Sequence, residues 1–201
     1  TVSFVSPRGH DYLADLAARE EAGTPNVIGD IRAALACIVR ACIAEAGLDR
    51  RAEAMCREAI GRWRANSRIE VLGRETDAQL PIVSFRMRDG DGQLVHHQLV
   101  TRILSDCFGI QARGGCACAG PYVHRLLGIG DPQSRAIHQA LRFGAELEKP
   151  GFVRVNFSPL MTDEECEKLI SCVERVAKES DRLSRHFAAN PATAVFEPVT
   201  A

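Results

Sequence analysis

The stretch FVRVNFSPLMTDEE, residues 152–165, joins the pattern of a strand to the start of a helix. Val153 and Val155 flank a charged residue, so they face a core while Arg154 lies on the opposite side of the strand. The segment TDEE, which begins at Thr162, has the spacing of a capping box, in which a threonine and a glutamate three residues later cap a helix reciprocally. The stretch therefore predicts a strand followed directly by a helix.

Strand and helix patterns recur along the rest of the chain. Apolar residues at helical spacing follow Thr24-Pro25, which has the form of an N-cap and a first helical position, while residues 7–23 and those after 183 show little pattern. The predicted strands cover residues 1–6, 68–72, 82–87, 110–113 and 152–157, and the predicted helices cover 25–46, 49–65, 95–108, 131–148 and 163–180. Short strands flanked by helices predict the α+β class, with a small antiparallel or mixed sheet covered by helices on one face.

Composition excludes several classes of function. The chain has 201 residues, 46% of them hydrophobic, and a net charge of -1, which is ordinary for a globular protein and indicates no nucleic-acid or membrane surface. Its eight cysteines do not have the spacing of a short secreted disulfide framework. We therefore expect a reducing, cytoplasmic compartment.

The segment RGGCACAGP, residues 113–121, carries the densest candidate chemistry. Cys116 and Cys118 lack the second ligand pair that a structural zinc site needs, so we expect no metal, and no C-x-x-C redox motif is present. A helix start at Gly120-Pro121 and a guanidinium at Arg113 both favour a thiolate on this loop. The loop therefore either presents a reactive cysteine thiol or is a tight turn whose cysteines are unreactive.

Four segments, in order, resemble those of the class V aminotransferase-fold enzymes, in the branch of cysteine desulfurases and selenocysteine lyases. The loop RGGCACAGP is similar to the active-site loop R-G-G-x-x-C-A-x-P of that branch. The other three segments are REEAGTPN at 19–26, LPIVSF at 80–85, and FVRVNFS at 152–158 with TDEE after it. The resemblance runs from Thr1 to about Val176.

This resemblance implies a fold-type I, pyridoxal-phosphate-dependent homodimer that acts on an amino acid. Thr24 matches a threonine that reaches across the dimer to the cofactor phosphate. Arg154 matches the arginine that binds the substrate carboxylate, and Arg113 matches an arginine that orients the loop, so both are assigned to substrate binding. Cys118 matches the catalytic cysteine, which in desulfurases takes the substrate sulfur as a persulfide.

The chain also departs from the family pattern. The family's cofactor lysine, in a His-Lys pair before the segment that matches 19–26, has no counterpart among the three lysines here. The resemblance then implies the C-terminal part of a longer enzyme, inactive by itself. Its parts would be the end of the large cofactor domain with a connector (1–26), linking helices (27–65), a small C-terminal α+β domain (66–180) and a tail (181–201).

Two further departures keep other functions open. Many such desulfurases have His-His before the cysteine, where Cys116-Ala117 stands here, and about twenty residues, roughly 129–150, look inserted before the Arg154 strand. An aminotransferase or lyase with an inert Cys118 is therefore an alternative function. A non-catalytic binding module is another.

Overall fold

The computed structural model describes residues 1–21, 23–73, 80–115 and 120–199. The chain divides into two compact units, residues 1–47 and residues 48–201. In the part of the chain that is described, no helix is both long and apolar enough to cross a membrane.

The first unit begins with a hairpin and ends with a long helix. Its elements are β1 (Val2–Ser6), β2 (Gly9–Tyr12), α1 (Leu16–Glu20) and α2 (Val27–Glu45). The strand predicted at the start is present, but residues 7–23, predicted to be irregular, contain β2 and α1. The side chain of Asn26, not of Thr24, caps α2, because Asn26 Oδ1 accepts a hydrogen bond from the backbone N–H of Gly29 at 3.1 Å.

The apolar side chains of α2 are exposed. The sequence predicts a helix with an apolar face, and the helix is present, but none of its residues is buried. The exposed large side chains on α2 are Val27, Ile28, Ile31, Leu35, Ile38 and Val39.

The second unit contains the main sheet and its covering helices. Its helices are α3 (Leu48–Arg64), α4 (His97–Phe108), α5 (Gly120–Leu127), α6 (Asp131–Arg142) and α7 (Asp163–Ser184). Its strands are β3 (Ile69–Val71), β4 (Ile82–Arg88), β5 (Leu94–Val95), β6 (Arg113–Gly115), β7 (Phe152–Asn156), β8 (Phe187–Asn190) and β9 (Val195–Pro198).

The main sheet has the order β3-β4-β7-β6, with β5 also paired to β4, and every one of these pairs is antiparallel. Buried residues of α3, α4 and α7 pack on one face of this sheet in a single core. Trp63 lies at its centre, with its ring centroid 5.2 Å from that of Phe85 and 6.3 Å from that of Phe157. The predicted α+β class is therefore confirmed, with helices on one face of an antiparallel sheet.

The stretch at 152–165 folds as its pattern predicts. Val153 and Val155 are buried in the core, whereas Arg154 is only partly buried. Thr162 Oγ1 accepts a hydrogen bond from the N–H of Glu165 at 3.1 Å, and the Glu165 carboxylate accepts one from the N–H of Thr162 at 2.8 Å. This complete capping box starts α7.

Several predicted boundaries are wrong. The strand expected at 110–113 covers Arg113–Gly115 instead. The helix expected through residue 148 ends at Arg142, because Gly144 takes a left-handed conformation with φ of 80°, which stops a helix. A short 3-10 turn, Glu146–Glu148, follows. The end of the chain, where no pattern was expected, forms the β8–β9 hairpin, whose turn is closed by Asn190 Oδ1 accepting from the N–H of Ala192 at 3.0 Å.

Candidate functional site

The pairing of β6 with β7 places two arginines side by side. Arg113 is the register partner of Arg154, which on its other side is the partner of Ser84 in β4. Directly opposed residues of antiparallel strands project to the same face, with Cβ atoms roughly 4.5–5.5 Å apart. Both guanidinium groups therefore lie on the face of the sheet opposite the core.

Arg113 and Arg154 line one cavity of about 750 Å³. Among the described residues, no acidic side chain lines this cavity, and neither arginine forms an ion pair with a carboxylate. Like charges directly opposed on neighbouring strands destabilise a sheet. An uncompensated arginine pair beside an open cavity is thus electrostatically complementary to an anion.

The rest of the cavity wall is mixed in character. Polar groups come from Gln111, Asn156 and Ser158, and apolar surface comes from residues that include Leu80 and Ile82. Such a wall suits a small molecule that carries a carboxylate together with a short, less polar part.

The two glycines after Arg113 are required by packing and by backbone conformation. A Cβ atom at Gly114 would lie 2.9 Å from Thr101 Cγ2 and 3.0 Å from the His97 carbonyl oxygen, so β6 runs too close to α4 for any larger residue. Gly115 has a φ of 132°, which side-chain-bearing residues rarely adopt. The RGG sequence therefore fixes the position from which Arg113 projects.

Cys116 and Cys118 lie outside the described residues. The helix start predicted just after them is confirmed, because α5 begins at Gly120. His124 Nδ1 lies 3.0 Å from the Gly120 carbonyl oxygen and Nε2 lies 2.9 Å from Ser134 Oγ, so this histidine connects the first turn of α5 to α6. In the described part of the chain, no group of three or more His, Cys, Asp or Glu residues could hold a metal ion.

Thr24 belongs to the unit of residues 1–47 and is exposed. It precedes the capping residue Asn26 of α2 by two positions, and among the described residues its hydroxyl has no hydrogen-bond partner. An exposed hydroxyl just before a helix N-terminus fits a phosphate group, because the first backbone N–H groups of a helix favour an anion.

The lysines do not fit a covalent cofactor anchor at the arginine cavity. Lys149, Lys168 and Lys178 are all exposed, and none lines that cavity. Lys149 instead lies 3.8 Å from a carboxylate oxygen of Glu146. The arginine pair of the second unit therefore fits a substrate carboxylate, and Thr24 of the first unit fits a phosphate group, whereas no lysine fits the covalent anchor of pyridoxal phosphate.

The described residues thus form an α+β fold that carries an opposed arginine pair at an open cavity. Residues 1–169 match the family described as Aminotransferase class-V, and the chain belongs to that family. Members of this family and cysteine desulfurases generally use pyridoxal phosphate.

The structure is similar to that of the cysteine desulfurase CsdA from Escherichia coli, with a TM-score of 0.55 and 22% sequence identity. The match covers 88% of this chain and 37% of that one, so this chain spans a little over a third of the length of the desulfurase. At this identity the likeness concerns the fold. The comparison with curated proteins gave no match.

Sequence reasoning placed Arg113, Arg154 and Thr24 as candidates but missed the polar groups around the arginines. Asn156 follows Arg154 by two positions on the same strand, so the period of a strand puts both on one face. That spacing was a usable signal. Gln111 and Ser158 lie outside the strands, and no pattern in the sequence pointed to them.

Proposed function

We propose that this chain forms the substrate-carboxylate side of a pyridoxal-phosphate-dependent enzyme that acts on an amino acid. The observation that carries the proposal is the opposed pair Arg113 and Arg154, which faces a cavity where none of the described lining residues is acidic. Membership of the class V aminotransferase family supports the same class of reaction.

In this proposal Arg154 forms the primary contact with the α-carboxylate. A guanidinium presents two parallel N–H donors to the two carboxylate oxygens, which a lysine ammonium cannot do. Arg113 adds a second positive charge beside it, and Asn156 supplies an amide on the same face. The pair binds and orients the amino acid.

Thr24 would hold the cofactor through its phosphate, across the interface of a homodimer. Pyridoxal phosphate, when bound, supplies the electron withdrawal that labilises bonds at the amino-acid α-carbon. The covalent anchor is proposed to come from a lysine other than the three in residues 1–201.

Cys118 is the proposed sulfur acceptor, which would make the enzyme a cysteine desulfurase or selenocysteine lyase. A thiolate is the form that attacks sulfur, and it is favoured by the nearby start of α5 and by a guanidinium five residues upstream. The fold that this chain shares with a cysteine desulfurase is compatible with this assignment.

Two alternatives rest on specific observations. The absence of a His-His pair before Cys118 favours an aminotransferase or lyase in which the thiol is inert. The lack of a lysine at the arginine cavity favours a non-catalytic binding module.

The test uses the full-length protein with cysteine as substrate and measures the release of alanine and sulfide. Under the desulfurase proposal, Cys118→Ser abolishes release, whereas Cys107→Ser, which changes an exposed cysteine on α4, does not. Release by Cys118→Ser at the parent rate would exclude the sulfur-transfer role.

An aminotransferase or lyase would instead convert an amino acid without depending on Cys118. A protein that binds no pyridoxal phosphate at all would leave only the binding module.

A further inference from the structure

The main sheet has a gap along one edge of β4. Met87 pairs with Ile69 of β3 on one edge and with Val95 of β5 on the other. On that second edge Phe85 pairs with Val153 of β7. Strands β7 and β5 therefore flank the same edge of β4 one after the other, and a gap separates them.

A cavity of about 280 Å³ lies at this gap. Residues 94–97, residues 147–151 and part of β4 line it. The rings of His96 and His97 are stacked with centroids 4.2 Å apart. Gly151 packs closely against the His97 ring, because a Cβ atom at position 151 would be 2.5 Å from His97 Cε1. This cavity shares no lining residue with the one at Arg113 and Arg154.

Two buried nitrogen atoms of its lining residues have no hydrogen-bond partner among the described residues, Arg86 Nε and His96 Nε2. Arg86 uses a terminal nitrogen to pair with Glu70 at 2.6 Å, which leaves its Nε–H unused. His96 Nδ1 accepts a hydrogen bond from the N–H of Gln98 at 3.2 Å, so in the neutral ring the proton lies on Nε2. Both atoms are therefore donors.

Burial lowers the pKa of His96, and the nearby backbone carbonyl of Leu147 partly opposes this fall. The carbonyl nevertheless does not form a hydrogen bond of normal geometry with His96 Nε2. Buried donors without acceptors are costly, and native proteins rarely leave them unpaired without water or a ligand. The two buried donors therefore need hydrogen-bond acceptors that the described residues around the cavity do not provide.

The side chains that line the cavity carry two positive charges and one negative charge. Arg86 and Lys149 line it together with one carboxylate, that of Glu148. Outside the lining, Glu70 pairs with Arg86 and Glu146 lies 3.8 Å from Lys149. Burial, the adjacent His96 ring and the charge of Lys149 lower the pKa of His97 to about 4, so both histidines are neutral near neutral pH and become positive in acid.

We propose that this gap is a binding site for a small oxyanion, a phosphate or a carboxylate, which accepts hydrogen bonds from Arg86 Nε and His96 Nε2 while Lys149 supplies charge. The site is separate from the arginine pair and does not depend on the proposed function. Since an anion favours the protonated imidazoles, affinity rises as pH falls.

The experiment titrates the protein with inorganic phosphate, and separately with acetate, at about pH 5 and about pH 7, and follows the imidazole ¹H–¹⁵N signals. The signals of His96 and His97 shift saturably with one or both anions, and more tightly at the lower pH, while those of His124 and His186 do not move. The anion that binds more tightly identifies the oxyanion class.

Arg86→Gln weakens the anion affinity by about tenfold or more, the effect expected for a lost charge-assisted hydrogen bond. Arg88→Gln is the matched control, because Arg88 lies on the same strand, also reaches Glu70 at 3.4 Å, and does not line the cavity. Should Arg86→Gln fail to fold, Lys149→Gln, at an exposed side chain, carries the test and also weakens binding. No saturable shift with either anion overturns the proposal, and so does equal affinity in the parent and in the variants at residues 86 and 149.

Discussion

The opposed arginines predict that one substitution improves stability while it damages function. In the absence of a ligand, Arg113 and Arg154 repel each other across adjacent strands, and among the described residues no carboxylate offsets the repulsion. Arg154→Gln removes one charge and keeps a side chain of similar polarity on the partly buried strand position. We expect the free energy of unfolding to stay the same or to rise by up to about 1 kcal/mol, the range of cross-strand charge effects.

The same substitution removes the fork of donors that the proposed substrate carboxylate requires. A hydrogen bond to a charged group is worth roughly 1.5–3 kcal/mol, which corresponds to a loss of about tenfold to a hundredfold in catalytic efficiency. Arg113 remains beside the site and offsets part of the loss, so Arg113→Gln together with Arg154→Gln costs more than either alone.

Two measurements on the full-length enzyme test this prediction. Urea unfolding gives the stability, and kcat/KM with the amino-acid substrate gives the function, with Arg88→Gln as a control because Arg88 is already paired with Glu70. The reasoning is refuted if Arg154→Gln lowers stability by several kcal/mol, or if catalytic efficiency is unchanged in the double variant.

Three other predictions concern the cofactor and pH. When free pyridoxal phosphate is first removed from this chain by dialysis, borohydride then fixes no cofactor to its lysines, because none of them lines the arginine cavity; one lysine peptide labelled in equimolar amount in mass spectrometry would contradict this. In the full-length protein, Thr24→Ala lowers retention of the cofactor by about tenfold, measured by dialysis, while Thr24→Ser retains it. Because the pKa of His97 is lowered from 6.5 to about 4, the unfolded chain binds the proton more readily, so stability is complete above about pH 6.5 and falls as the pH drops towards 4. In His97→Gln the free energy of unfolding should fall less between pH 6.5 and pH 4, by roughly 1–2 kcal/mol once solvent screening of the partly exposed ring is allowed for. Urea unfolding at the two pH values measures this difference. Equal acid sensitivity in the parent and in the variant would count against the prediction.

Local signals determined much of the fold. The alternation around Arg154 and the capping box at Thr162 depend on neighbours in the chain, so β7 and α7 could be predicted from the sequence. The same holds for the start of α5 at Gly120, near the end of the RGGCACAGP stretch. Where two local signals competed, prediction failed, since Thr24 and Asn26 are both good capping residues and the geometry of α2 selected Asn26.

The candidate site, too, was predicted from the sequence only in part. Residue type and spacing identified Arg113 and Arg154 as separate candidates through resemblance to a family. Only the tertiary structure showed that they are register partners, because the pairing of β6 with β7 joins residues about forty positions apart and a shift by one residue would send the side chains to opposite faces.

The gap between β7 and β5 was beyond the reach of the sequence for the same physical reason. His96-His97 is visible as a dipeptide. The nitrogens of Arg86 and His96, which have no partner among the described residues, face a space that forms only because the β4–β5 hairpin and residues 147–151 meet there. The sequence by itself determined which elements form, through interactions over a few residues. The tertiary structure decided which charged groups face one another, because strand register is set by hydrogen bonds between residues far apart in the chain.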